Sequence, residues 1–286
     1  MFTNALPSEL IDVVAVIDPD AYSQATVSSG YADMSDYEAL LAVGLVGTIA
    51  STGKYDLKFQ SNTAATGGSD VSGKAITQLT EASPDDSDKQ ALINLRGEEL
   101  TEGHRYVKMV RTLTTAGADE ATLLLGLKGG MVPNCLPSEV MAVVATIDPD
   151  AYAPGDQSSD WFDTSKFHAF LTIFLVGDAG ATVTLSSKLE QAVTSGGAAK
   201  DISGKTTAAV DGSGSPSESN VQQTIDLRPE ELDMDNDYRW ARLTVTGTDT
   251  DSPADTTSDY AAVVFGVWPR TGIASDHDLA SVDEIV

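Results

Sequence analysis

The sequence predicts an all-β fold built twice: two tandem homologous domains of β-sandwich or jelly-roll-like form, with long polar loops and an extended C-terminal tail. Three observations carry this. Residues 134–152, NCLPSEVMAVVATIDPDAY, repeat residues 4–22, NALPSELIDVVAVIDPDAY, with fourteen of nineteen positions identical at a constant offset of 130. Both copies are series of short apolar runs rich in Val, Ile, Leu, Thr and aromatics, separated by Gly/Ser/Asp clusters, the pattern of strands and turns. Several runs alternate with period two, as with Tyr55, Leu57 and Phe59 in YDLKF and Val183 and Leu185 in ATVTLSSKL, which marks strands with one buried face.

The duplication continues in order along the chain. MSDYEALLAVGLVG (34–47) answers DTSKFHAFLTIFLVG (163–177), with Tyr37 opposite Phe167, and DVSGK (70–74) answers DISGK (201–205). INLRGEEL (93–100), RYVKMVRTLT (105–114) and LLLGL (123–127) answer IDLRPEEL (225–232), RWARLTVTGT (239–248) and VVFGV (263–267). In the first copy the runs lie near 11–17, 37–49, 55–61, 90–95, 105–114 and 121–127. In the second they lie near 141–147, 167–176, 181–189, 221–227, 238–246 and 260–267, so each domain is expected to hold roughly six strands. The LPSE segment and the run behind it supply the leading segment and first strand of each domain. Runs such as FLTIFLV suit strands covered on both faces. KAITQLTEA (74–82) is read as one short helix, and RGEEL and RPEEL as helical turns, since Pro229 is tolerated in a first turn. IDPDAY is read as a turn, because proline fixes φ and Asp side chains satisfy turn amides. The stretches 62–73, 192–220 and 247–258 are expected to be polar loops. The expected domains are residues 1–131 and 132–271, followed by an acidic tail, 272–286.

Charge excludes several functions. The chain carries 43 acidic and 17 basic residues, a net charge of −26. The first 131 residues hold 18 acidic and 9 basic, or −9, leaving −17 for residues 132–286. Such a surface repels phosphate backbones, whose binding relies on Lys and Arg displacing counterions. Direct nucleic-acid binding and adhesion to anionic membranes are therefore not expected. A lone cysteine, Cys135, allows no intrachain disulfide and closes no Cys-based metal site. No apolar run approaches the ~20 residues that span a bilayer, and no secretory signal is visible at MFTNALPSEL. The expectation is a soluble protein made in the cytoplasm.

Few motifs carry chemistry. GSDVSGKA (68–75) matches the G-x-x-x-x-G-K part of a phosphate loop, but Ala75 stands where Ser or Thr should hold magnesium, and Ala199 replaces the first glycine in the second copy. A polar turn with a lysine is the better reading. Asp18 and Asp20, and Asp148 and Asp150, could pair on Ca²⁺, with the turn preferred. DMDND (233–237) fails as an EF-hand, with Tyr238 at the glycine position and Thr244 at the glutamate position. DTDSPAD (249–255) reads as a solvated loop. His104, His168 and His277 lack partners at metal-ligand spacing, and Cys135 aligns with Ala5. No catalytic residue, metal site or cofactor is expected, and the protein is read as not an enzyme. The arginines are more informative. Arg96 and Arg228 precede paired glutamates (Glu98 and Glu99; Glu230 and Glu231), while Arg105 and Arg239 precede Tyr106 and Trp240. An Arg–carboxylate bridge inside each domain is expected ahead of a subunit contact. Trp161, beside Phe162, is the one candidate aromatic platform, with packing preferred. In the tail, Leu279, Val282 and Ile285 are candidate contact residues, the alternative being a frayed terminus.

The combination of IDPDAY, the apolar strand ending LVG, AVTSGGAAKDISGK or TGGSDVSGKAITQLTEA, DKQALINLRGEEL, RYVKMVRTLT and the terminal DLASVDEIV resembles a family of tailed-bacteriophage virion proteins. These are small β-rich head decoration (cement) or minor structural proteins, usually with one such repeat per chain. The doubling departs from that form, and only the second copy keeps DLASVDEIV. The resemblance implies a capsid decoration protein that clamps neighbouring major capsid protein subunits on the outside of the expanded head. It implies self-association as a dimer or trimer and location on the virion surface. A head–tail connector, a tail-tube protein and a β-sandwich receptor- or glycan-binding module are the alternatives.

Overall fold

The computed structural model describes residues 5–82, 85–131, 135–213, 218–249 and 257–286, and the chain divides into two compact units. Unit 1 holds Glu9–Val140 and Ala280–Val286, and unit 2 holds Met141–Leu279 and Leu6–Ser8. The division therefore does not follow the repeat boundary. The leading turn of each copy and the end of the tail are assigned with the other copy's strands.

Unit 1 contains β1 (Ile11–Tyr22), β2 (Thr26–Ser28), β3 (Ala32–Asp33), β4 (Ala39–Ile49), β5 (Lys54–Asn62), β6 (Ser69–Ala75), β7 (Leu79–Thr80), β8 (Lys89–Arg96), β9 (Tyr106–Thr114) and β10 (Ala118–Leu127). Unit 2 repeats them as β11 (Met141–Tyr152), β12 (Gly155–Ser158), β13 (Phe162–Asp163), β14 (Phe167–Val176), β15 (Val183–Ala192), β16 (Lys200–Thr206), β17 (Val210–Asp211), β18 (Val221–Leu227), β19 (Trp240–Asp249) and β20 (Ser258–Pro269). The last strand, β21 (Val282–Ile285), belongs to unit 1. Each unit is a sandwich of two sheets. In unit 1 the orders are β1-β10-β4-β8-β21 and β2-β9-β5-β6, and in unit 2 β11-β20-β14-β18 and β12-β19-β15-β16, with the two-residue strands attached beside them. Among the described residues all pairings are antiparallel except β21 on β8.

The cores follow from the alternation. Tyr55, Leu57 and Phe59 of β5 meet Leu40, Ala42 and Ile93 of the facing sheet. Their counterparts Leu185 and Leu189 meet Phe170, Phe174 and Ile225. The other faces of β4 and β14 also carry buried apolar side chains, such as Leu41, Val43, Leu171 and Ile173, as the unbroken apolar runs predicted.

Two strand glycines are required by packing. A Cβ on Gly126 would lie 2.4 Å from the Tyr37 ring, and one on Gly266 would lie 2.5 Å from the Phe167 ring. In each unit an aromatic ring lies flat on the bare backbone of the adjacent strand, filling the volume that glycine leaves. This explains why Tyr37/Phe167 and LLLGL/VVFGV recur together.

Three readings of local structure need correction. IDPDAY is not a turn. It lies inside β1 and β11, and the register slips between Ile17 and Asp20 and between Ile147 and Asp150. The proline sits in a β-bulge, where its missing N–H costs no ladder bond. The tyrosine hydroxyl closes the bulge by donating to the carbonyl four residues back, Tyr22 to Asp18 at 3.0 Å and Tyr152 to Asp148 at 2.7 Å. KAITQLTEA is not a helix, because Ala75 ends β6 and Leu79–Thr80 form β7. The loops expected at 62–73 and 192–220 contain β6 and β16, whose Gly73 and Gly204 adopt φ of 70° and 74°. RGEEL and RPEEL do form single 3₁₀ turns, Gly97–Glu99 and Pro229–Glu231. Much of the 247–258 stretch lies outside the described residues.

Gly126→Ala or Gly266→Ala is expected to destabilise its unit by about 1–3 kcal/mol through overpacking. Pairing Gly126→Ala with Tyr37→Ala should cost less than the sum of the two changes. Denaturant unfolding of the four variants measures both.

Candidate functional site

The recurring polar motifs lock the ends of the strands. In the DxSGK hairpin the aspartate pairs across to the neighbouring strand, Asp70 with Lys58 and Asp201 with Lys188, both at 2.7 Å. The lysine of the same motif reaches the second glutamate of the following 3₁₀ turn, Lys74 to Glu99 and Lys205 to Glu231, again at 2.7 Å. That glutamate also accepts the main-chain N–H of the arginine that opens the turn, at 2.8 Å from Arg96 and 2.7 Å from Arg228. The apparent phosphate-loop lysine is thus committed to a structural ion pair. Arg96 meets Glu98 at 3.0 Å on an exposed surface, where such a pair contributes little. The lysine–glutamate link was missed in the sequence because its partners lie about 25 residues apart.

Arg105 and Arg239 each clasp the aspartate that ends a two-residue strand, Asp33 of β3 and Asp163 of β13. The second contact is bidentate, with Nε at 2.8 Å from Oδ1 and Nη2 on Oδ2. Desolvation pushes the Asp163 carboxyl upward, but hydrogen bonds from Arg239 and Ser165 outweigh it and hold the group down at about 2. Arg105 also lies over the Tyr106 ring, at 5.2 Å from its centroid. A cavity of about 380 Å³ beside Arg239 is lined by Thr164, Met234, Tyr238 and Arg270 among others. The Arg239 fork is already taken by Asp163. Trp161 is half-buried and carries the Arg242 guanidinium 4.8 Å from its ring centroid. Arg242 in turn holds Glu190 at 2.8 Å.

The tail divides its contacts. Leu279 donates its N–H to the Val143 carbonyl at 2.8 Å, and the Val143 N–H donates to Asp278 Oδ1 at 2.6 Å, both within unit 2. From Val282 the chain runs parallel to β8 in unit 1. Gln90 N–H donates to the Ser281 carbonyl at 3.0 Å, Val286 N–H to the Leu92 carbonyl at 2.9 Å, and Asn94 N–H to the Val286 carbonyl at 2.8 Å. Val282 is half-buried, whereas Ile285 is exposed and Val286 packs against the core instead. Glu284, absent from the sequence-based candidates, accepts from both the main-chain N–H and the hydroxyl of Thr77.

The LPSE serines form a matching pair of contacts. Ser138 N–H donates to Asn94 Oδ1 at 2.9 Å in unit 1, and Ser8 N–H to Asp226 Oδ1 at 2.9 Å in unit 2. Asn94 and Asp226 occupy equivalent places in INLR and IDLR, so LPSE recurs because each copy's strand needs a leading turn to satisfy this side chain.

One contact is confined to unit 1. Arg111 and Glu120 are completely buried, with Nε 2.6 Å from Oε1. Arg111 stacks over Tyr22 at 4.3 Å from the ring centroid. Burial pushes the Glu120 carboxyl up to about 7 against the pull of Arg111. The strand registers place Val245 and Tyr260 at the equivalent positions in unit 2, where Tyr260 stacks on Tyr152 at 4.5 Å.

The remaining candidates do not converge. His104 Nδ1 meets Ser61 Oγ at 2.8 Å, His277 lies against the Phe167 ring, and His168 is exposed. Among the described residues no group of three His, Cys, Asp or Glu side chains could hold a metal ion. The DMDND segment is a 3₁₀ turn ending in Asp237 in the left-handed conformation. Among the described residues no helix is long and apolar enough to cross a membrane.

No family model matches the chain, and no curated protein matches it. Solved structures that align with the chain include the PBSX exported protein XepA, at TM-score 0.30 and 8% identity, covering 91% of this chain and 88% of that one. They also include the broad bean stain virus structure, at TM-score 0.29 and 10% identity, covering 99% and 96%. The major capsid protein P2 of bacteriophage PM2 follows at TM-score 0.25 and 10% identity, covering 92% and 100%. At these scores the alignments carry no functional argument.

Arg111→Met is expected to cost unit 1 about 3–5 kcal/mol, because it strands a buried carboxylate. Arg111→Val with Glu120→Tyr, which installs the pair found in unit 2, should cost far less, as denaturant unfolding would show. A second expectation concerns pH. Burial raises the Asp278 carboxyl to about 7 from 3.8, against the hydrogen bond from Val143. The folded value is the higher one, so this anchor contributes fully below about pH 4 and is lost as pH rises through about 7. The protection factor at Leu279, the unstructured exchange rate divided by the observed rate at the same pH, should therefore fall over that range, and Asp278→Asn should flatten the dependence.

Proposed function

We propose that the protein is a non-enzymatic structural component of a virus particle. In the finer reading it is a decoration or cement protein, binding the outside of the expanded phage head and tying neighbouring major capsid protein subunits together. The observation that carries this reading is the parallel docking of Val282–Ile285 on β8. The fold attaches extended segments to its sheets through main-chain hydrogen bonds, and strand addition of this kind gives affinity without a deep pocket. The strand ends are fixed by repeated ion pairs and capped turns, which suits a rigid clamp. A net charge of −26 favours an outer protein surface over a nucleic-acid face. Binding only the expanded shell would stabilise it by mass action.

Quantitative mass spectrometry of purified virions from the source tests this reading. Hundreds of copies in fixed ratio to the major capsid protein are expected. A dozen or fewer would place the protein in the neck or tail, and absence from particles would overturn the virion reading.

A further inference from the structure

We propose that the outer edge of β18 accepts one extended segment of a partner protein, uncharged or basic, added parallel to β18 as β21 is added to β8. The inference does not depend on the shell reading.

The two units supply a comparison. β8 and β18 are the same strand of the duplicated fold, at a constant offset of 132 through INLR and IDLR. In unit 1 the outer edge of that strand is paired: the groups facing the tail belong to Gln90, Leu92 and Asn94. Their equivalents are Gln222, Thr224 and Asp226. Among the described residues, β18 is the last strand of its sheet. An edge of this kind is a template for another strand unless it is blunted. Blunting is partial, because Lys205 donates to the Asp226 carbonyl at 2.7 Å and leaves the Thr224 position open. The chain has one such tail and two such edges, and the tail is spent on β8.

Divergence between the edges defines the occupant. Leu92, 1% exposed, is replaced by the exposed Thr224, so the added strand meets a polar rather than an apolar side chain. Thr77, whose hydroxyl and N–H bind Glu284, is replaced by Ala208. A glutamate there would lose its hydroxyl donor. It would also approach a unit whose residues 141–279 hold 22 acidic and 8 basic side chains, a net charge of −14. Both changes disfavour the tail of a second copy. They favour a segment with a small or apolar residue at the Glu284 position and no net negative charge.

The test uses the full chain and two acetylated peptides, one with the sequence of residues 280–286 and one with that sequence carrying D283K and E284A. The substituted peptide should bind at one site per chain, at least about tenfold tighter than the unsubstituted one, and slow amide exchange at Thr224 and Asp226 about tenfold or more. Thr224→Pro removes an outward N–H, a change edge strands tolerate. It should abolish binding while leaving thermal unfolding and the protection of Leu92 and Asn94 unchanged. Three results would overturn the proposal: no slowing at Thr224 and Asp226, binding that survives Thr224→Pro, or protection changes confined to β8. Protection of these amides without peptide, together with a dimer in sedimentation, would name a second copy as the occupant and overturn it equally.

Discussion

An open β-sheet must end somewhere, and the main-chain groups along its last strand must find partners or face water. That constraint governs most of what recurs in this chain. The strand at the edge of each main sheet ends in an arginine whose own N–H is capped by a glutamate, and the lysine of a neighbouring hairpin holds that glutamate. A side chain on the same strand, Asn94 or Asp226, is held by the serine of a leading LPSE turn. In unit 1 the edge is finished by a parallel strand from the far end of the sequence. In unit 2 a lysine takes one carbonyl instead. The two solutions differ in reach: the strand covers the edge from Gln90 to Asn94, and the lysine covers one group.

The interiors show the same economy. In unit 1 Tyr55 places its hydroxyl where a Cβ on Gly44 would lie, 2.6 Å away, and bonds Thr122 at 3.0 Å. Thr122 in turn donates to Glu120 at 3.1 Å, so the tyrosine joins the buried Arg111–Glu120 pair. The registers place Leu185, Phe174, Ala262 and Tyr260 at the positions of Tyr55, Gly44, Thr122 and Glu120. The large side chain comes from one sheet in the first unit and from the other in the second, and the polar chain is replaced by apolar groups and stacked rings. Filled volume is retained while the chemistry changes, as close-packed cores require. A buried ion pair costs much of its Coulomb energy in desolvation, so an apolar solution in its twin is not a loss.

The sandwich was legible because alternation and the repeat both speak directly about backbone geometry. Tyr55, Leu57 and Phe59 point inward as their spacing requires, whereas the contact behind the recurrence of Tyr37/Phe167 and Gly126/Gly266 became visible only in the structure. IDPDAY misled because Asp-Pro-Asp carries the same local chemistry in a turn and in a bulge, and only the partner strand decides between them. The short strands β6 and β16 were hidden by polar sequence, since hairpin edges facing water need no apolar side chains. Lys74–Glu99, Arg111–Glu120 and Ser8–Asp226 link residues distant in sequence, and no periodicity encodes them. For the tail the sequence left contact with a neighbour and a frayed terminus as alternatives; in the structure it pairs with β8, with Val282, Glu284 and Val286 half-buried and Ile285 exposed, a register set by β8 and not by the tail's own pattern.

Comparing the copies separates what the fold needs from what each unit does with its surface. The aspartate–arginine clasp, the lysine–glutamate link, the leading serine and the aromatic on glycine are present in both units, and each fixes the end or the crossing of strands. The differences fall on the core chemistry, which is compensated, and on the edge strand, which is not. Replacing Ala91, Leu92 and Thr77 by Gln223, Thr224 and Ala208 moves the hydroxyl from the Glu284 contact to the strand itself and removes apolar surface, with no apolar group restored at those positions. An uncompensated change at a template edge alters what that edge can pair with. The duplication has therefore produced two attachment edges of different selectivity on one scaffold, and the tail is matched to only one of them.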